Sequence, residues 1–179
     1  MKCDLKEKYT KEVMPKLIKE VYKNKMAVPK IEKVTINVGT GSVKDDNHRK
    51  YIENSLAVIA GQHFSKRLAK KSIASFKVRE GGHVGYSATL RGKRMYDFLN
   101  KLVFVAIPRK RDFRGLSLKS VDEAGNLTIG FKDHLIFPEM ANEDVRSSFG
   151  FSVTIVTTAK GKEKAKQFLK EMGFPFSKK

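Results

Sequence analysis

Acidic residues are scarce in this chain of 179 residues. There are 19 Asp and Glu against 37 Lys and Arg, which leaves a formal net charge of +18 at pH 7. Charge of one sign on this scale repels itself in a compact protein, so a polyanionic partner is expected to compensate it. The basic residues alternate with apolar residues along the chain and are not collected in a tail. This distribution indicates a folded domain with basic surfaces.

Cysteine and long hydrophobic runs are also nearly missing. The single cysteine, Cys3, cannot form an internal disulfide, so nothing in the sequence requires an oxidising compartment. The longest apolar run, from Leu102 to Pro108, is far too short for a membrane span. Residues 1–10 lack the hydrophobic segment of a secretory signal. We therefore expect a soluble cytoplasmic protein with no membrane partner.

Linkers and internal repeats are absent as well. No stretch rich in Ser, Gly or Pro divides the sequence, and its five prolines are scattered. A chain of this length with 40% apolar residues can bury one sizeable core. We expect residues 1–179 to form a single domain.

The spacing of the apolar residues predicts both helices and strands. The predicted helices cover residues 4–24, with a bend at Pro15, and about 46–60, 93–106 and 162–172. The predicted strands cover residues 31–38, 66–76, 84–91, 127–131 and 151–158. The expected fold class is therefore α+β, a mainly antiparallel sheet with helices packed on one face and the other face open.

The predicted strands are apolar on one side only. Within residues 31–38, Thr35 and Asn37 alternate with branched aliphatic residues, and Thr89 and Arg91 take the same side of their strand. Such a face can simply be solvated. At a net charge of +18, small polar groups next to cations favour RNA, because they can bond 2′-hydroxyls and base edges while Lys and Arg bind phosphates. Aromatic residues are not prominent on this face, so we expect it to recognise RNA shape rather than stacked bases.

Two basic loops interrupt the pattern. Residues 77–85 read KVREGGHVG and place three glycines at a predicted hairpin tip, and residues 108–115 read PRKRDFRG, with four cations around Phe113. Each segment can be an ordinary solvated loop. Glycines also let a backbone approach a phosphate chain closely, which makes both segments candidates for RNA contact.

Motifs for catalysis, nucleotides or metals are incomplete. The segment GTGSVK, residues 39–44, has Lys44 where a dinucleotide-binding loop requires its third glycine, so we interpret it as a turn. The four histidines lack zinc-site spacing, and no nucleophile with its base can be proposed. We predict no enzyme activity, no cofactor and no metal site; a nucleotide-using enzyme is the alternative that rests on GTGSVK.

Several long motifs, in order and across nearly the whole chain, resemble the bacterial ribosomal protein L5 family. They are VPKIEKVTINVGTG, AGQHFSKRLAKKSIASFKVREGGHVGYSATLRG, IPRKRDFRGLS, LIFPE and GFPF. The resemblance implies a protein of the large ribosomal subunit that holds 5S rRNA on the open face of its sheet, with 23S rRNA as a further partner. It also implies a hairpin loop near the peptidyl-site tRNA and a contact with a small-subunit head protein.

Carried over by motif, the resemblance assigns residues to two surfaces. The rRNA-binding residues would be Thr35, Asn37, Gln62, Lys66, Arg67, Lys70, Lys71, Thr89 and Arg91. The tRNA-facing loop would contain Lys77, Arg79, Gly81, Gly82 and His83. The run HFSKRL departs from the proline-containing run of relatives, which leaves the individual contacts of Lys66 and Arg67 open. A stand-alone RNA-binding regulator or chaperone-like module fits the composition equally well, and only the register of the motifs favours the ribosomal protein.

Overall fold

The computed structural model describes residues 4–22, 24–41, 43, 45–110, 113–141 and 148–177. The predictions on Cys3, on Ser42 and Lys44 of the GTGSVK turn, and on Arg111 of the second basic loop lie outside these residues. None of the helices described is long and apolar enough to cross a bilayer.

Five strands form one open antiparallel sheet. They are β1 (Ile31–Gly39), β2 (Ser65–Leu68), β3 (His83–Leu90), β4 (Leu127–Phe131) and β5 (Phe151–Thr157). Their order across the sheet is β2-β3-β1-β5-β4, so the first strand of the sequence lies at the centre. All four neighbouring pairs are antiparallel, and the predicted α+β fold class is confirmed.

The helices begin and end close to the predicted residues, with one exception. They are α1 (Leu5–Lys8), α2 (Met14–Glu20), α3 (Asp46–Ala60), α4 (Gly92–Lys101) and α5 (Lys162–Met172), with π-helical turns at Tyr9–Val13 and Leu102–Ala106. The first predicted helix is thus three segments that end at Glu20. Its change of helix type precedes Pro15, which has no N–H to donate to the preceding turn.

Helix α3 has a capping side chain at its start and a glycine at its end. The Asp45 carboxylate accepts a hydrogen bond from the Asn47 N–H at 2.9 Å, which caps the first turn. Gly61 ends the helix in the left-handed conformation, with φ of 65°. Between these ends, apolar residues of the helix such as Ile52 and Leu56 are buried in the core.

The apolar sides of the strands and helices meet in one core. From β1, Val34, Ile36 and Val38 are buried, and they pack in the same cluster as Leu99 of α4 and Phe168 of α5. On the opposite side of the sheet, Asn37 and Thr89 are exposed. We call the side that carries Thr35, Asn37 and Thr89 the open face.

The predicted strand over residues 66–76 is wrong. Strand β2 ends at Leu68, and residues 69–82 form a loop with a 3₁₀ turn at Ala74–Phe76. The apolar residues that suggested a strand are exposed here, since Ile73 is 46% and Phe76 74% exposed. Residues 83–85, predicted at the hairpin tip, belong to β3.

Candidate nucleic-acid interface

A row of small polar residues crosses all five strands on the open face. Residues directly opposite each other in an antiparallel pair point to the same side of the sheet. Asn37 lies between Ser87 and Ser152, Ser87 lies next to Ser65, and Ser152 next to Gly130. The row therefore has no large side chain that would hold a ligand away from the sheet.

A second row consists of threonines from four strands. Thr35 of β1 lies opposite Thr89 on one side and Thr154 on the other, and Thr154 lies opposite Thr128. The hydroxyls of Thr128 and Thr154 are 3.1 Å apart and bond each other. The two rows run side by side, two residues apart along each strand.

Several side chains of these rows have hydrogen-bonding groups that are available to a ligand. Among the residues described, the side chains of Thr35, Asn37 and Thr89 have no hydrogen-bond partner, whereas Ser65 donates to the Ser87 carbonyl at 2.9 Å. Gln62, just after α3, donates to the Thr89 carbonyl at 3.4 Å and extends the threonine row. The predicted residues Thr35, Asn37, Gln62 and Thr89 thus lie together.

Two predicted cations of β2 point in opposite directions. Arg67 lies opposite Gly85 and shares the side of Ser65, so its side chain is on the open face. Lys66 lies opposite buried Tyr86 and is directed to the helix side, where its Nζ is 3.6 Å from a carboxylate oxygen of Glu53. The structure therefore groups Arg67, but not Lys66, with the polar rows.

The other predicted rRNA-binding cations border the sheet. Arg91 follows β3, and its guanidinium is 3.5 Å from the Glu32 carboxylate in an exposed pair. Exposed pairs of this kind are worth little, so a phosphate can replace the carboxylate at small cost. Lys70 and Lys71 are exposed at the start of the 69–82 loop and make no ion pair within the described chain.

The 69–82 loop is a small hydrogen-bonded hairpin of its own. Ile73 and Val78 exchange two backbone hydrogen bonds, of 3.0 and 3.3 Å, and Ala69 bonds Gly81 and Gly82 at the base. The Ser72 hydroxyl accepts from the Glu80 N–H at 2.9 Å. Lys77 takes the left-handed conformation at the tip, with φ of 53°. Lys77 and Arg79 are therefore exposed on an ordered projection.

His83 belongs to the sheet and not to this projection. Its ring lies 4.5 Å from that of Tyr86, and its Nδ1 is 3.3 Å from the hydroxyl of buried Thr40. Burial lowers the pKa of His83, and the nearby cations Arg49 and Lys66 lower it further. At neutral pH the ring is uncharged, so it does not add a cation to the loop.

Nothing in the described residues forms a metal-binding group of three or more His, Cys, Asp or Glu. In the second basic loop, Phe113 packs against the core, and Lys110 lies 5.9 Å above the Phe131 ring. Sequence reasoning did not single out Ser65, Thr128, Ser152 and Thr154 as site residues. Alternation alone placed polar residues on one side, and only the strand order shows that these four continue the two rows.

An open antiparallel sheet with unpartnered small polar groups, bordered by basic residues, defines an RNA-binding α+β protein. Its sequence matches the family profile "Ribosomal protein L5" over residues 24–79 and the "ribosomal L5P family C-terminus" over residues 83–176. The chain belongs to the ribosomal protein L5 family. Both matched segments supply strands to the one sheet, β1 and β2 from the first and β3 to β5 from the second.

Bacterial relatives match over nearly the full length. The large ribosomal subunit protein uL5 of Halothermothrix orenii is 48% identical over 175 residues, which are 97% of this chain and 98% of the relative. That of Oenococcus oeni is 49% identical over 176 residues, again 97% and 98%. The predicted family is confirmed. The protein is a structural, RNA-binding component of the large ribosomal subunit, works in translation in the bacterial cytoplasm, and is not an enzyme.

Proposed function

We propose that the open face binds 5S rRNA and helps to anchor it in the central protuberance of the large subunit. The observation that carries this proposal is the pair of polar rows, in which Thr35, Asn37 and Thr89 have unpartnered side chains. A-form RNA displays 2′-hydroxyls and base edges in a wide, shallow minor groove, which a flat surface of short polar side chains can meet. The family resemblance supplies 5S rRNA as the particular RNA.

The cations are proposed to divide between two RNA segments. Arg67 and Arg91, at opposite borders of the polar rows, would bind phosphates of 5S rRNA, together with Lys70 and Lys71. Lys66 lies on the other side of β2, so we assign it to an RNA segment at the edge of the sheet, for which 23S rRNA is the candidate.

The 69–82 loop is proposed to contact the peptidyl-site tRNA. Its ordered hairpin presents Lys77 and Arg79, which can bind a phosphate backbone, and Gly81 and Gly82 keep its base narrow. The contact with a small-subunit head protein is proposed on the family resemblance, without an assignment to residues. We also propose that residues 1–179 work as one domain, since the two matched segments contribute strands to one sheet and β3 of the second lies between β2 and β1 of the first.

The double variant Asn37→Ala, Thr89→Ala tests the open face. It removes two side chains with no partner in the free protein, so the melting temperature should hardly change. Affinity for purified 5S rRNA should fall by about 1–3 kcal/mol if RNA groups lose their partners. The matched control is Asn54→Ala, Thr10→Ala, which removes the same residue types from exposed helix positions. Equal affinities of the two double variants would exclude the open face as the binding surface.

A further inference from the structure

A concave site lies at the end of the sheet opposite to the 69–82 loop. Residues just before β1 and just after β5 surround a cavity of about 400 Å³, within the size range of small-ligand sites. Thr158 ties the two segments together, since its N–H donates to the Lys30 carbonyl at 2.9 Å. The cavity is thus built on the central pair of strands.

The cavity has an apolar wall and a cationic rim. Tyr22, Met26 and buried Val28 form the apolar part of its lining, and Met26 is 89% exposed. Lys160 and Lys164 form the cationic part, and neither makes an ion pair with a residue that the structure describes. The described residues that line the cavity include no carboxylate. Burial raises the pKa of Tyr22, so its hydroxyl stays protonated and can donate a hydrogen bond.

We infer that this cavity binds one unpaired nucleotide of ribosomal RNA. The phenol ring of Tyr22 and the thioether of Met26 offer a flat, polarisable wall for a base. The ammonium groups of Lys160 and Lys164 offer two positive charges for its phosphate. A ligand that joins an anionic group to a planar apolar group can contact the lysines and the apolar residues at the same time.

The cavity also continues the open face. Thr158 stands at the next alternate position after Ser152, Thr154 and Val156 of β5. An RNA strand that leaves the polar rows along β5 would therefore arrive at the cavity. This continuity rests on the proposed function of the open face, whereas the apolar wall and the two lysines do not depend on it.

The first test is a photo-crosslink from the cavity within assembled large subunits. The variant Met26→p-benzoylphenylalanine should crosslink to one unpaired rRNA nucleotide. Adding Lys160→Gln and Lys164→Gln should lower that yield about fivefold or more, because two charge-assisted contacts are lost. The matched control, Lys162→Gln with Lys170→Gln on the same helix, should keep the yield. A crosslink to a protein, or no crosslink to RNA, would overturn the proposal in favour of an acidic peptide or an empty cavity.

The second test uses the full chain in isolation, with its methionine methyl groups observed by NMR. 5′-AMP should shift the Met26 methyl signal in a saturable way, more strongly than adenosine or inorganic phosphate at the same concentration. The Lys160→Gln, Lys164→Gln variant should lose most of this shift. An equal shift with inorganic phosphate alone would reduce the site to a general anion contact and overturn the nucleotide proposal.

A negative result for the cavity can be distinguished from a negative result for the open face. If 5S rRNA affinity falls in Asn37→Ala, Thr89→Ala but Met26 finds no nucleotide, only the cavity assignment is lost. If 5S affinity is unchanged and the Met26 crosslink persists, the cavity binds RNA and the open face does not.

Discussion

The open face and the 69–82 loop owe their shapes to different parts of the chain. Asn37 and Thr35 sit on the central strand, between β3 and β5, and alternate with residues such as Val34 and Ile36 that are buried in the core. The loop is exposed along most of its length, and its hydrogen bonds are almost all internal, as between Ile73 and Val78. Packing of the core therefore fixes the geometry of the open face, whereas local turns and hydrogen bonds fix that of the loop.

This difference indicates how each region responds to change. A substitution that disturbs the ladder between β1 and β3 alters the open face together with global stability. A change within the loop alters only a local unit, because segments with few buried contacts open independently of the whole protein. The two proposed RNA contacts should therefore be separable by mutation.

Shortening the tip of the loop is expected to abolish the proposed tRNA contact and to leave 5S rRNA binding intact. Replacing residues 74–77 by Asn-Gly, together with Arg79→Gln, keeps Ile73 and Val78 as the flanking pair of a two-residue hairpin turn and retains Lys70 and Lys71. The variant should fold and bind 5S rRNA within about twofold of the parent, since no core residue is removed. Ribosomes that contain it should release peptidyl-site tRNA faster, as filter binding measures. Normal tRNA retention would show that the loop is only a hairpin tip.

Substitution of Gly85, in β3, is expected to lower both the stability of the protein and its affinity for 5S rRNA. A Cβ on Gly85 would lie 2.3 Å from the Val38 carbonyl oxygen, so β1 and β3 must move apart. Gly85→Ala is expected to lower the free energy of unfolding by about 3 kcal/mol and to weaken 5S rRNA binding as well. Its control is Gly39→Ala, at the position paired with Gly85, where an added Cβ meets nothing within 4 Å. Equal denaturant midpoints for the two variants would contradict this account of the strand contact.

The fold was predictable wherever periodicity reflected burial. Helix α3 carried a cap, an apolar stripe and a terminal glycine, and β4 and β5 alternated strictly, so their predicted ranges are confirmed. The predicted strand over residues 66–76 failed because Ile73 and Phe76 are apolar but exposed. Apolar residues on a projection imitate the pattern of a buried strand, and composition alone does not separate the two.

The sequence predicts which side of a strand the candidate site residues occupy, but not which residues of the neighbouring strands lie beside them. Alternation placed Thr35 and Asn37 on the polar side, and the structure confirms that side. Which residues adjoin them depends on strand order and register, because shifting a strand by one residue exchanges its two faces. For Lys66 and Arg67, adjacent in the sequence, only the pairing of β2 with β3 decides which one lies on the open face.

Neutralising Arg67 and neutralising Lys66 should change the salt dependence of 5S rRNA binding differently. Arg67→Gln should reduce the slope of log K against log salt for 5S rRNA binding by about 0.7–0.9, the contribution of one phosphate contact. Lys66→Gln should leave the slope unchanged, because its side chain is on the helix side. Each variant removes one charge from neighbouring exposed positions, so they control each other. Equal slopes for the two variants would contradict the division of β2 into two sides.

The smallest expected effect concerns the residue that joins the two regions. His83 is the first residue of β3, at the base of the loop, and its pKa lies below the ordinary value of 6.5 because the ring is partly buried, with Arg49 and Lys66 nearby. The unfolded chain therefore takes up this proton first as the pH falls. As the pH falls below 6.5, the ordinary pKa of histidine, the contribution of His83 to the free energy of unfolding decreases. It levels off once the pH is below the pKa of His83 in the folded protein.

The variant His83→Asn keeps a polar group near Thr40 but removes the titration. Between about pH 7.5 and 5, the melting temperature of the parent should fall further than that of the variant, because only the parent must protonate a partly buried ring. Asp46 and Glu53, whose negative charges oppose the shift of His83, are present in both proteins, so their effects cancel in the difference. Parallel curves would mean that His83 is equally protonated in the folded and unfolded chains. A larger fall of the melting temperature in the parent, with protection factors that drop at low pH for the loop amides but not for those of β1, would show that protonation of His83 loosens the loop before the open face.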